Sequence, residues 1–321
     1  MRISAITADR RDEFATGDGT LPDIGPLTAA LWTSGDSRPQ WCWLATRRGR
    51  VLARVGFRVV EDPDDPPPSS AFEPELLAAA WRRVPYTVGL FGLAYAPGPD
   101  GLAAAEELIR TAVGAAVEPG TVVEARTNPE AHPDAAARVE LLGQAGFGLF
   151  QEKQGYAWAA PAGTHEELEL GSIATVGERV FFDVLAAAGG ATLDRNDRFY
   201  YARCGPDGWA RIMLSLLEPE STETWCVGYA HGEPVGFVAV SPFGEPHTAT
   251  VAHIGVVPAH RGQGYGRRLL AAGTNLAERT GYVAMLSDVD VDNGPMRAAM
   301  LATGHRDDVR PWHVWHHRLT R

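Results

Sequence analysis

One stretch concentrates the features that holding an anionic ligand requires: Ile254-Gly255-Val256-Val257-Pro258-Ala259-His260-Arg261-Gly262-Gln263-Gly264-Tyr265-Gly266-Arg267-Arg268-Leu269-Leu270. An apolar strand ends at Pro258, a glycine-rich turn follows, and an amphipathic helix starts at once. Successive backbone N–H groups in such a turn form an anion nest at a helix N-terminus. Glycines let a phosphate approach the main chain and permit positive φ, and Arg261 adds a positive charge. Spacing excludes two other phosphate motifs. A P-loop needs Lys-Ser/Thr after its last glycine, but Gly266 is followed by Arg267-Arg268. A dinucleotide fingerprint needs its third glycine at the sixth position, which here is Arg267.

A second stretch, Asp288-Val289-Asp290-Val291-Asp292-Asn293-Gly294-Pro295, places three carboxylates at alternate positions before a helix. The spacing matches the first three ligands of a calcium loop. The sixth position is Asn293 rather than Gly and the twelfth is Ala299 rather than Glu, so no metal is expected there. The triplet reads either as a solvated loop or as a carboxylate cluster at the end of a central strand, where open sheets place ligands. Alternation would set all three on one face, with Asp288 nearest the strand, and such a cluster could hold a cationic amine.

The pattern left after elimination, Arg-x-x-Gly-x-Gly between a strand and a helix, resembles the acyl-coenzyme A pyrophosphate loop of the GNAT superfamily of N-acetyltransferases. The resemblance covers roughly residues 168 to 321. It implies that Arg261, Gly262, Gln263, Gly264, Tyr265 and Gly266 hold the coenzyme. It implies that the strand around Ile254 and Val256 lies along it, with a main-chain N–H near Val256 polarising the thioester carbonyl. Asn293 matches an Asn that lies near the coenzyme in the family, and Gly304-His305 matches a Gly-Phe pair closing the helix after it. Many members carry a tyrosine acid seven residues after that Asn; here the position is Met300.

The implied reaction is transfer of acetyl from acetyl-CoA, the expected co-substrate, to an amine by direct attack. The amine must first lose a proton, and a general base is the usual device. Family base positions on the strand fall on Thr250 and Ala252, which cannot serve. His253 has the wrong parity for an ideal strand and reaches the site only if a bulge intervenes. Asp288, Glu245 and His247 are its rivals, so the catalytic candidates carried forward are His253 and Asp288. The expected acceptor is a small cationic primary amine, and Asp194, Asp197, Tyr200 and Tyr201 lie where a substrate-side helix or loop belongs. The alternative is a non-catalytic acyl-CoA-binding or interaction protein.

The elements that must position these residues recur. Each half shows a strand hairpin, a second apolar strand, a helix (Gly101 to Val117, or Gly264 to Thr280), another strand, a short helix and an aromatic strand. This order predicts a mixed α+β chain of two GNAT-like domains in tandem, each a mostly antiparallel sheet flanked by helices. The expected boundaries are 1–163 and 164–321. The first domain reads as degenerate: Ala94 to Gly101 stands where the loop belongs, lacks the arginine and carries Asp100. Pro161-Ala162-Gly163-Thr164-His165 reads as the linker, and the acidic, proline-rich Glu61 to Ser70 as a surface loop.

Composition narrows the class. With 321 residues, 45% hydrophobic and 21% charged, the chain is neither wholly disordered nor fibrous. A net charge of −11 argues against nucleic acid as partner and favours a cationic small molecule. Lys153 is the one lysine. No apolar run is long enough to span a membrane. Three scattered cysteines exclude a disulfide framework or zinc site, and His313, His316 and His317 do not converge on one strand face. The expectation is a cytoplasmic monomer or homodimer without a metal.

Overall fold

The computed structural model describes residues 1–61, 87–118, 120–128, 134–163, 168–214 and 219–318. The expected loop from Asp62 to Ser70 and the linker residues Thr164 and His165 lie outside them. The chain divides into two compact units, and neither is a contiguous half. One gathers the described residues of Met1–Asp62, Pro85–Phe150 and His313–Arg321; the other gathers those of Gln151–Trp312.

The first unit runs β1 (Arg2–Ala5), α1 (Arg11–Thr16), α2 (Gly25–Ser34), β2 (Cys42–Arg47), β3 (Arg50–Glu61), β4 (Thr87–Tyr95), α3 (Pro99–Ala116), β5 (Val122–Thr127) and α4 (Ala135–Gln144). The second takes most of β6 (Gly148–Ala159), then β7 (Glu169–Ser172), α5 (Ile173–Val176), α6 (Glu178–Ala188) and α7 (Arg195–Leu214), which is interrupted at Gly205. It continues through β8 (Trp225–Ala230), β9 (Glu233–Pro242), β10 (Thr248–Val256), α8 (Tyr265–Arg279), β11 (Ala284–Asp290), α9 (Gly294–Ala302) and the start of β12 (Arg306–Arg318).

Each unit builds the same sheet. β1 to β4 form an antiparallel series, and β5 joins β4 in parallel after α3. β7 to β10 repeat that series, and β11 joins β10 in parallel after α8. The final strand of each sheet comes from the other half of the chain. In the first unit β12 pairs with β5, from His313↔Thr127 to Arg318↔Val122. In the second, β6 pairs with β11, from Ala284↔Ala159 to Asp290↔Lys153. The expected cut at residue 163 therefore gives way to two exchanged strands. Both β5 and β11 need an antiparallel neighbour to satisfy their backbone groups. Element order along the chain does not say which aromatic strand supplies it.

Helix α8 shows why the site is rigid. It buries Leu269, Leu270, Ala272 and Ala277. Gly273 lets it lie close on β9, since a Cβ there would come within 2.6 Å of Val238 Cγ2. Two features of β10 set up the site. It pairs with β11 only at Thr248↔Ala284 and Ala249↔Met285, and beyond these the strands part. At the parting point Ser287 Oγ accepts the Val251 N–H at 2.9 Å. On its other edge β10 carries a bulge, for Val251 faces Val240 while His253 faces Ala239, leaving Ala252 as the extra residue.

Candidate active site

The loop expected to hold phosphate is built as an open turn. After a 3-10 turn at Pro258–His260, Gly262 and Gly264 adopt φ of 77° and 81°, and Gly264 is the N-cap of α8. A Cβ at either glycine would meet nothing within 4 Å, so the space in front of the turn is free. The amides of Gly262 to Arg267 donate to no backbone carbonyl, and the helix start adds its partial positive charge. These residues suit a pyrophosphate. Arg261 lines the same cavity and is also tied to the main chain. Its Nε donates to Val256 O at 2.9 Å, Nη1 to Ala191 O at 2.7 Å and Nη2 to Ala188 O at 2.8 Å. It bolts the turn to the end of β10 and to the segment after α6. The Gln263 side chain turns back toward Ala259 O, which leaves its main chain as its contribution to the turn.

Val257 N–H donates to Val235 O on β9. Strand alternation then points the N–H groups of Val256 and Ile254 to the opposite edge, where β11 has left. Both residues line a cavity of about 780 Å³ that also takes in the turn, Tyr265 and Asn293. Asn293 caps α9, its Oδ1 accepting the Met296 N–H at 3.3 Å.

His253 lies on the wall of this cavity, because the Ala252 bulge reverses its parity. Its ring stacks on Phe237 at 5.8 Å and meets Trp209 at 5.4 Å. Its Nε2 lies 3.5 Å from Asp197 Oδ2, and Trp209 Nε1 donates to Asp197 Oδ1 at 3.4 Å. Burial raises the Asp197 carboxyl above the ordinary value, a rise opposed by His253 and Lys153 and reinforced by Asp194. Burial also acts on Asp194, but Lys153 beside it and the amide of Asp197 outweigh burial and hold its carboxyl low.

The Asp288, Asp290 and Asp292 run is not one face turned to substrate. β11 extends through Asp290, so the first two belong to the strand. Asp288 Oδ1 pairs with Lys153 Nζ at 2.9 Å and is absent from the cavity wall. The cause is cross-strand geometry. Asp290 faces Lys153 and Asp288 faces Gly155, which makes Lys153 and Asp288 diagonal neighbours on one face. Asp290 is buried and accepts from Gln151 Nε2 and the amides of Arg195 and Asp292. Asp292 lies beyond the strand and pairs with Arg195 at 3.4 Å.

Glu245 and His247 sit on the exposed turn between β9 and β10, apart from the cavity wall. Met300 packs in the core beside Met285 and Leu270 and presents no acid. Of the expected substrate-side residues, Asp197 reaches the cavity, whereas Tyr200 is buried. Composition and spacing did not single out Trp209, Phe237, Gln151 or a role for Lys153. The one available signal was that Lys153 is the sole lysine. Among the described residues no group of three His, Cys, Asp or Glu is arranged to hold a metal, and no helix is long and apolar enough to cross a membrane.

In the first unit the N-cap of α3, Gly98, likewise has positive φ and open space where a Cβ would go. But Ala94 to Gly101 carries no arginine, and Asp100, in the first turn of α3, pairs with Arg47 at 2.9 Å.

Residues 194–304 match the acetyltransferase (GNAT) family. The fold of the whole chain is that of solved GCN5-related N-acetyltransferases. One from Sphaerobacter thermophilus superposes with a TM-score of 0.59 at 15% identity, covering 100% of this chain and 96% of that one. A GNAT-family acetyltransferase from Colwellia psychrerythraea gives 0.51 at 14% identity, over 98% and 99% of the two chains. A GCN5-related glucosamine N-acetyltransferase region of a fungal multi-domain GH3 β-N-acetylglucosaminidase gives 0.59 at 11% identity. That match covers 98% of this chain and 38% of the fungal one.

Proposed function

Starting from a chain whose second unit carries a GNAT-family acetyltransferase domain, we propose that it transfers an acyl group, acetyl first, from acyl-CoA to the primary amine of a small cationic acceptor. The observation that carries this reading is His253, set by the Ala252 bulge on the cavity wall that also holds the open turn. The coenzyme supplies an activated acyl thioester. The turn from Gly262 to Gly266 binds its pyrophosphate, and the Val256 N–H polarises the acyl carbonyl. Asp197 and the ring faces of Trp209 and Phe237 suit a cationic amine. His253 takes a proton from the ammonium, oriented by Asp197, and the freed amine attacks. As the bond from carbon to nitrogen forms, the bond to sulfur breaks. The coenzyme leaves as thiolate and takes up the proton shed by the acylated nitrogen, giving amide and free thiol.

The test is thiol release from acetyl-CoA with a panel of polyamines, amino sugars, aminoglycosides and peptide N-termini. Release is expected with a cationic member of the panel and is expected to fall sharply in His253→Gln. Tight acetyl-CoA binding with no release from any amine would favour a binding protein instead, a reading to which the buried Met300 in place of a tyrosine lends weight.

A further inference from the structure

Lys153 reaches the second unit on β6, the strand exchanged from the first half of the sequence. Its Nζ lies 2.9 Å from Asp288 Oδ1 and 3.4 Å from Asp194 Oδ2, over the Trp312 ring at 5.9 Å. Two residues earlier, buried Gln151 donates through Nε2 to Asp194 Oδ2 at 3.0 Å and to Asp290 Oδ2 at 2.9 Å. Asp194 then uses Oδ1 to accept the amides of Asn196 at 2.8 Å and Asp197 at 3.1 Å, at the first turn of α7. Asp290 accepts the Arg195 amide at 2.8 Å. One face of β6 therefore grips the start of α7, and that turn carries Asp197, the partner of His253.

Charge points the same way. Asp194, Asp197, Asp288 and Asp290 converge here, and Lys153 is the ammonium among them; Arg195 pairs outside, with Asp292. The residues against His253 itself are Asp197, Trp209 and Phe237. Deleting the Lys153 charge leaves the carboxylates uncompensated. Their field would favour the imidazolium form of His253, which cannot accept a proton.

We propose that Lys153 is a positioning residue for the transfer reaction: it anchors the first turn of α7 through Asp194 and offsets the carboxylates around His253. This rests on the reading of His253 as the base. It also gives the strand exchange a function, since the first half of the sequence then supplies a part of the site.

The experiment follows the His253 imidazole resonance through a pH titration of the full-length protein, assigned with His253→Gln. In Lys153→Met the midpoint is expected to rise by roughly half a unit to one unit, the size of a lost charge about 6 Å away when the open cavity screens it to an effective dielectric of about 40 to 80. Lys153→Arg should titrate like the parent. Asp288→Asn alone should shift the midpoint down, and Lys153→Met with Asp288→Asn should bring it back. With an amine substrate, the acid limb of kcat/KM should move up with the midpoint. Lys153→Met would then lose activity on the acid side, approaching about three- to tenfold well below both midpoints, and regain it above them. An unmoved midpoint in folded Lys153→Met, or an equal loss at every pH, would overturn the proposal. If Lys153→Met does not fold, the Asp288→Asn and double-variant titrations decide by the same signs. If the parent turns over no amine, the function reading fails, while the titration, which needs no substrate, still decides this one.

Discussion

His253 and His305 show how environment divides two histidines on one domain. His253 stands half-buried at a cavity, against a carboxylate and two rings. Replacing it with Gln keeps a polar side chain but removes the proposed base, so kcat/KM should fall by about 10²- to 10⁴-fold. Acetyl-CoA affinity, measured calorimetrically, should not change. His305 is buried where the resembled pattern has Phe, with Nδ1 3.1 Å from Thr303 Oγ1, and burial pushes its imidazole down to about 4. The unfolded chain binds that proton near 6.5, so the folded state holds the neutral form and gains stability above 6.5. That stability is lost as pH falls toward 4, about 3 kcal/mol in all. His305→Phe should flatten the acid side of the Tm-against-pH curve. A curve of unchanged slope in the variant would show that the acid sensitivity lies elsewhere.

At the scale of elements, the bulge in β10 and the turn before α8 do separate jobs. Deleting Ala252 should remove the bulge yet leave His253 opposite Ala239 and on the cavity wall, because Val251 and His253 already occupy alternate faces. Activity should then stay well above that of His253→Gln, while circular dichroism and coenzyme binding hold. Gly264→Asp attacks the turn instead, putting a Cβ and a negative charge into the open space before the helix start at φ of 81°. Coenzyme binding should become undetectable by calorimetry in a protein that still folds; unchanged affinity would remove the turn from the site. The turn, the helix and their glycines were legible because they depend on local spacing alone. The bulge was not, because it is a mismatch with β9 and exists only once two strands are paired. The pairing of Asp288 was not legible for a related reason: its partner Lys153 lies on a distant strand in sequence and becomes a neighbour only through β6–β11 pairing.

At the scale of the whole molecule, the two units share a sheet plan but not a phosphate turn. The second presents free amides and open space at the N-terminus of α8. The first lacks the arginine and puts Asp100 in the first turn of α3, where an anion would be repelled. The chain should therefore bind one acetyl-CoA, and titration calorimetry should return one site per chain; two equivalent sites would contradict this. The exchanged strands make a second demand. Residues 164–321 alone lack β6, which pairs with β11 and carries Lys153; residues 1–163 alone lack β12, which pairs with β5. Each piece would leave an inner strand with an open, apolar-flanked edge. Neither piece should fold alone, whereas co-expression should recover a soluble complex that binds one acetyl-CoA. A well-folded, coenzyme-binding 164–321 fragment would show that the exchanged strand is dispensable for the catalytic unit.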